Sequence, residues 1–148
     1  MKKSLSKETE SVSAGSVSNL ASSFLGNSQE GMARFRHQAA VQKAMDLIQS
    51  RILNPPSLKE LACLSGFSRN YFSCVFKKVV GMKLQDYVLR ARLITARDLL
   101  GKPDLKIKKV AYESGFRDPN YFCRVFKNET GRSPTHWRLT ILTESRSS

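Results

Sequence analysis

Three cysteines, two histidines and a single tryptophan are all that 148 residues hold of these side chains. The cysteines, Cys63, Cys74 and Cys123, are odd in number and fit no zinc-ligand spacing. A disulfide framework and a zinc module are therefore not expected, and the usage suits a reducing compartment. His37 and His136 stand alone and form no ligand set. The chain has no phosphate-binding glycine loop, no HExxH, no paired carboxylates placed for a cleft and no nucleophile–base pair, so an enzyme is not expected and neither is a cofactor. No apolar run is long enough to cross a bilayer. The opening Met1-Lys2-Lys3 resembles the start of an export signal, yet Ser4, Ser6, Lys7, Glu8 and Glu10 follow where an apolar segment would be needed. The expectation is a cytoplasmic protein. Acidic residues are also scarce: 12 Asp and Glu face 25 Lys and Arg, for a net charge of +13. Such an excess favours a polyanionic partner, nucleic acid or an anionic membrane.

What is present changes along the chain. Residues 1–36 are rich in serine, and Leu20, Phe24 and Leu25 form their only apolar cluster. That composition predicts a disordered tail. From His37 onward, Val41, Ala44, Met45, Ile48 and Ile52 recur at helical spacing, until Asn54-Pro55-Pro56 ends the pattern. Ser57 with Glu60 three residues on predicts a capping box opening a second helix. Gly66 stands where the chain must turn sharply, and Ser68 then caps a third helix with Phe72, Val75, Phe76 and Val79 on its apolar face. A longer helix is predicted over about 83–100, closed by Gly101 and Pro103.

The next segment repeats this one. Leu58-Lys-Glu-Leu-Ala-Cys-Leu-Ser-Gly-Phe67 aligns with Ile107-Lys-Lys-Val-Ala-Tyr-Glu-Ser-Gly-Phe116, and Asn70-Tyr-Phe-Ser-Cys-Val-Phe-Lys77 with Asn120-Tyr-Phe-Cys-Arg-Val-Phe-Lys127. Gly81 matches Gly131 and Tyr87 matches Trp137, which is therefore expected in a core. About half of the aligned positions are identical, which marks an internal repeat. Each copy has the form helix, glycine turn, helix with a polar outer face, the helix-turn-helix pattern. The first spans about 57–80 and the second about 106–130. The aromatic pairs Tyr71-Phe72 and Tyr121-Phe122 are expected to fix each second helix to its own small core.

These residues resemble the DNA-binding domain of the AraC/XylS family of transcriptional regulators. The likeness rests on Ala62, Gly66-Phe67-Ser68, Tyr71-Phe72, Phe76-Lys77 and Gly81 in the first copy, and on Arg92-Leu93, Ala96 and Leu99-Leu100 between the copies. It is closer in the second copy, over Ile107, Val110-Ala111, Gly115-Phe116, Asp118, Tyr121-Phe122, Phe126-Lys127, Gly131, Ser133-Pro134 and Trp137-Arg138. The resemblance implies an all-α domain of about seven helices over 37–142, two homeodomain-like helix-turn-helix subdomains on one connecting helix, with a short tail at 143–148. Larger members carry a separate effector-binding or dimerisation domain, for which this chain leaves no room. It is similar either to small stand-alone members or to the DNA-binding half of a larger, effector-controlled regulator. A related DNA-repair methyl-acceptor class carries a four-cysteine module upstream, and no cysteine precedes Cys63 here.

A connecting helix of about 17 residues spans roughly 25 Å. With the flanking subdomains this brings two recognition helices to about one turn of B-DNA apart. One monomer then suffices to read two successive major-groove segments, and because the copies differ the site should be asymmetric. Arg69, Asn70, Ser73 and Cys74 in the first recognition helix, and Asn120, Cys123 and Arg124 in the second, are the base-reading candidates. Arg suits guanine and Asn suits adenine, while Ser73 and Cys74 are short enough to meet a thymine methyl. Lys77, Lys78, Arg117 and Lys127 are candidates for phosphate. So are Thr135, His136 and Arg138 at the start of the last helix, whose amides can hold an anion. Asp118 is expected to cap the helix and not to meet DNA. The resemblance further implies activation through contact with RNA polymerase. A nonspecific architectural DNA binder would need the charge without two mixed polar helices. A membrane-surface role would need a free apolar helix face, whereas here the repeat cores consume those faces.

Overall fold

Seven helices and no strand make up the described residues, 29–147, of the computed structural model. They are α1 (residues 29–50), α2 (Leu58–Ser65), α3 (Arg69–Val80), α4 (Leu84–Leu100), α5 (Ile107–Glu113), α6 (Pro119–Thr130) and α7 (Pro134–Ser147). The chain divides into two units, residues 1–40 and 41–148. The described part of the first unit is helical from residue 29 to 40.

The caps read from the sequence set the helix boundaries. Ser57 Oγ accepts from the Glu60 amide at 3.2 Å, and Glu60 Oε2 accepts from the Ser57 amide at 2.9 Å. This reciprocal box satisfies two donors that a helix start leaves open. Hydrogen bonding of the carboxylate with Ser57, with its backbone amide first and its side chain second, holds the Glu60 carboxyl below its usual range. Ser68 Oγ accepts from the Tyr71 amide at 3.2 Å and starts α3. Asp118 accepts from the Asn120 amide at 2.9 Å and starts α6, with Pro119 pre-set at its first position. By contrast α4 and α5 begin at Lys83 and Lys106 with no side-chain cap. Gly66 closes α2 in the left-handed conformation, φ 73°, a region that a Cβ disfavours.

Inside, α2 packs on α3 and α5 on α6, while α7 rests on both α4 and α6. Phe72, Phe76, Phe122 and Phe126 are completely buried. Phe76 meets the edge of Tyr87 with centroids 5.7 Å apart, and Phe126 meets Trp137 in the same way at 5.7 Å. Trp137 thus packs against the core, as its alignment with Tyr87 implies. The repeat also extends beyond the aligned segments. In α1 the buried residues are Val41, Ala44 and Ile48; in α4 they are Leu93, Ala96 and Leu100, at the same spacing with alanine in the middle. The second core joins those α4 residues to Val110, Ala111, Phe116, Phe122 and Phe126. Helix α4 therefore closes the first copy through Tyr87 and opens the second through Leu93, Ala96 and Leu100.

Both domain edges differ from the sequence expectation. Helix α1 begins at residue 29, within the segment expected to be tail. Glu30, Met32, Ala33, Arg34 and Arg36 favour a helix, and extending an existing helix costs far less than starting one. The cluster of Leu20, Phe24 and Leu25 lies outside the described residues. At the other end α7 runs to Ser147, past the expected limit at 142. Its polar residues bond their own helix: the hydroxyls of Thr143, Ser145 and Ser147 donate to the carbonyls four residues before them at 2.6, 2.9 and 3.2 Å.

Candidate nucleic-acid interface

Each recognition helix buries one face and offers the other. On α3, Phe72, Val75 and Phe76 point inward, which leaves Arg69, Asn70, Ser73, Cys74, Lys77 and Lys78 together on the exposed arc. On α6, Phe122 and Phe126 point inward, and Asn120, Arg124 and Lys127 are exposed, with Arg117 exposed just before the helix. Neither Arg69, Lys77 and Lys78 nor Arg117, Arg124 and Lys127 share in the ion pair of Lys109 with Glu113, 3.5 Å apart on α5. Both arcs are thus positively charged, with donors and acceptors available for base edges and phosphates.

The aromatic residue at the start of each recognition helix is placed differently from the sequence expectation. Tyr71 and Tyr121 are not core residues: they are 48% and 43% exposed. Tyr71 leans on Phe67, centroids 5.1 Å apart, and Tyr121 on Phe116 at 6.3 Å. Tyr121 also carries Arg124, whose guanidinium carbon lies 5.6 Å from the ring centroid. A cation held over a ring face gains about 0.5–1 kcal/mol at an exposed site and loses conformational freedom before any partner arrives. Tyr121 is thus an orienting residue for Arg124 that the sequence reading assigned to the core.

Two candidate residues, Cys123 and Arg138, are less open than the others. Cys123 is half-buried and packs against the second core, and burial pushes its thiol pKa up. It aligns with the exposed Ser73, but a sulfur covered by apolar neighbours is poorly placed to reach a base. Arg138 is turned inward: its Nε donates to the Leu100 carbonyl at 3.1 Å, closing the end of α4, and its Nη2 is covered. The start of α7 is also less open than a bare helix end. Pro134 has no N–H, the His136 amide donates to Ser133 Oγ at 3.2 Å, and the Trp137 amide donates to the Ser133 carbonyl at 2.8 Å. Thr135 and the His136 side chain remain exposed there.

Two arginines of α4 were not singled out for a role. Arg97 lies over Trp137, 5.3 Å from the ring centroid. Arg92 crosses to the second turn. Gly115, at φ 97°, sits so close that a Cβ there would lie 2.8 Å from Arg92 Nε and 2.7 Å from the Ile52 carbonyl oxygen. The Arg92 pKa is lowered, first by burial and then by the nearby Arg117 charge, with Tyr121 opposing. No periodic pattern marks such a residue, because its role depends on where a distant turn arrives.

With this geometry in view, comparison with known proteins gives the class. A helix-turn-helix domain model matches residues 61–140. The chain belongs to the AraC-type helix-turn-helix family of DNA-binding domains. It is 38% identical over 103 residues to the HTH-type transcriptional regulator YijO of Escherichia coli K12, a match covering 70% of this chain and 36% of YijO. It is 31% identical over 87 residues to the HTH-type transcriptional activator Btr of Bacillus subtilis strain 168, covering 59% of this chain and 16% of Btr. Among solved structures, an AraC-type DNA-binding-domain regulator from Chromobacterium violaceum superposes with a TM-score of 0.64 at 27% identity, covering 69% of this chain and 91% of that one. The match to YijO and Btr thus spans about a third of the one and a sixth of the other. Among the described residues no helix is long and apolar enough to cross a membrane.

Proposed function

We propose that this chain is a sequence-specific transcriptional regulator that sets α3 and α6 into successive major-groove segments of one asymmetric DNA site. The carrying observation is that two copies of one fold expose different residues at a matched position, Cys74 in α3 against Arg124 in α6, while the exposed Ser73 is matched by the half-buried Cys123. Two unlike readers on one chain call for an unlike pair of half-sites. Arg69, Asn70, Asn120 and Arg124 read bases, with Ser73 and Cys74 making close apolar contact. Lys77, Lys78, Arg117, Lys127, Thr135 and His136 hold the backbone. One chain carries both readers, so a monomer suffices. The name of the activator Btr supports activation, with RNA polymerase as the protein partner.

Selection of bound sites from a random duplex library at near-physiological salt tests the reading. The expected product is an asymmetric motif of about two helical turns with two separated read segments. No enrichment, with binding that simply fades as salt rises, would leave a nonspecific or architectural binder. The small share of YijO that is matched favours a second reading, the DNA-binding part of a larger effector-controlled regulator. That reading predicts the same motif at lower affinity.

A further inference from the structure

We propose that Arg92, reaching from α4, joins Arg117 in holding one phosphodiester of the DNA backbone at the N-terminal end of α6. This rests on the reading of the chain as a DNA binder and extends the interface to the helix that joins the two helix-turn-helix copies.

The placement of Arg92 is unusual for a surface arginine. Its side chain lies against Gly115, where even a methyl group would collide with it. Its Nε is covered and has no hydrogen-bond partner, and Nε alone of its guanidinium nitrogens is so covered. The second positive charge, Arg117, follows two residues after the Gly115 that Arg92 touches, and after burial it is the next cause that lowers the Arg92 pKa. The carboxylate adjoining Arg117, that of Asp118, is occupied in capping α6 through the Asn120 amide. A helix start adds partial positive charge at the same end. Two cations and a helix N-terminus gathered without a committed anion form a site that an anion completes. The planar donor fork of a guanidinium matches phosphate oxygens.

The first copy has no such arrangement. A Cβ at Gly66 would meet nothing within 4 Å. By the spacing shared between α1 and α4, the residue preceding Val41 corresponds to Arg92, and it is Ala40. The extra anchor therefore belongs to the second half-site alone.

The test uses the full chain with Arg92→Gln, Arg92→Lys and Arg117→Gln. Dissociation constants are measured over a salt series on a selected duplex and on an unrelated one, with melting temperatures beside them. Arg92→Gln is expected to reduce the slope of log affinity against log salt by about one on both duplexes, the signature of one lost phosphate contact. Arg92→Lys should recover most of it. A wild-type slope in Arg92→Gln, with only the melting temperature lowered, would overturn the proposal and leave Arg92 as a brace. Neutral methylphosphonates scanned along the selected site should then weaken the wild type at one position where they no longer weaken Arg92→Gln. Should Arg92→Gln not fold, Arg117→Gln, altered at an exposed residue, must lose sensitivity at a single position to support the shared phosphate, and equal sensitivity everywhere overturns it. Failure of the functional reading looks different: the wild type would prefer neither duplex, while the slope would still report on Arg92.

Discussion

The two helix-turn-helix copies share a side-chain cap at the start of the recognition helix, their buried phenylalanines and their aromatic edge contacts, yet their turns sit in different surroundings. The turn at Gly66 is open, whereas the turn at Gly115 is pressed between the Ile52 carbonyl and Arg92. Their readers differ as well: α3 presents short side chains at Ser73 and Cys74, while α6 presents Arg124 held over Tyr121. The difference teaches that a repeated fold does not give a repeated interface. The second copy is braced at its turn and holds Arg124 over a ring, whereas the first is open at its turn and carries the adjacent Lys77 and Lys78. Four sets of variants break or sharpen this comparison.

The largest effect falls where the copies should be equal. Phe76→Ala and Phe126→Ala each remove a wholly buried ring and should each cost about 3–5 kcal/mol in denaturant unfolding. Values far apart would break the equivalence of the two cores. The turns should separate next. Gly115→Ala combines a left-handed backbone with a collision against the Ile52 carbonyl and should lose about 3 kcal/mol or more. Gly66→Ala carries only the backbone term, about 1–2 kcal/mol, and equal melting shifts would mean the brace is absent. In DNA binding, Arg124→Ala should lose about 1–3 kcal/mol, concentrated at one base position, and Cys74→Ala should change little. A uniform loss on all sequences would make Arg124 a backbone contact.

The caps give the smallest effect. Ser57→Ala should cost about 1 kcal/mol, and Lys106→Ser should recover part of such an amount by supplying the cap that α5 lacks. The same box makes a small contribution that depends on pH. Because the Glu60 carboxyl is held below its ordinary pKa, its contribution is complete above the unfolded value and disappears as pH falls through the folded one. An acid titration of Glu60→Gln against the wild type should therefore show the two converging at low pH.

Local chemistry was legible in the sequence and long reach was not. Ser57, Glu60, Ser68, Asp118 and Gly66 act within a few residues of themselves, so their roles follow from spacing. The alignment of Tyr87 with Trp137 placed both beside a buried phenylalanine. Tyr71 and Tyr121 sit next to core positions, and an apolar ring with a polar tip is compatible with either side of that boundary. Cys123 and Arg138 are less open than their spacing suggests for a related reason: helical phase at the edge of a buried face decides which way a side chain turns, and one position of phase is a small angle. Arg92, Arg97 and Arg138 act on Gly115, Trp137 and Leu100, and only the packing of separate helices brings those partners within reach.

The matched spacing of Val41, Ala44 and Ile48 with Leu93, Ala96 and Leu100 means that the copies overlap and do not merely follow one another. Helix α4 ends one and begins the next, so neither can be cut away intact: a fragment beginning after Leu100 would leave Val110, Phe122 and Phe126 without the helix that covers them. Exchanging halves between related chains should therefore cost stability wherever the crossover falls around α4: ahead of it Tyr87 parts from Phe76, and behind it Leu93, Ala96 and Leu100 part from the second core.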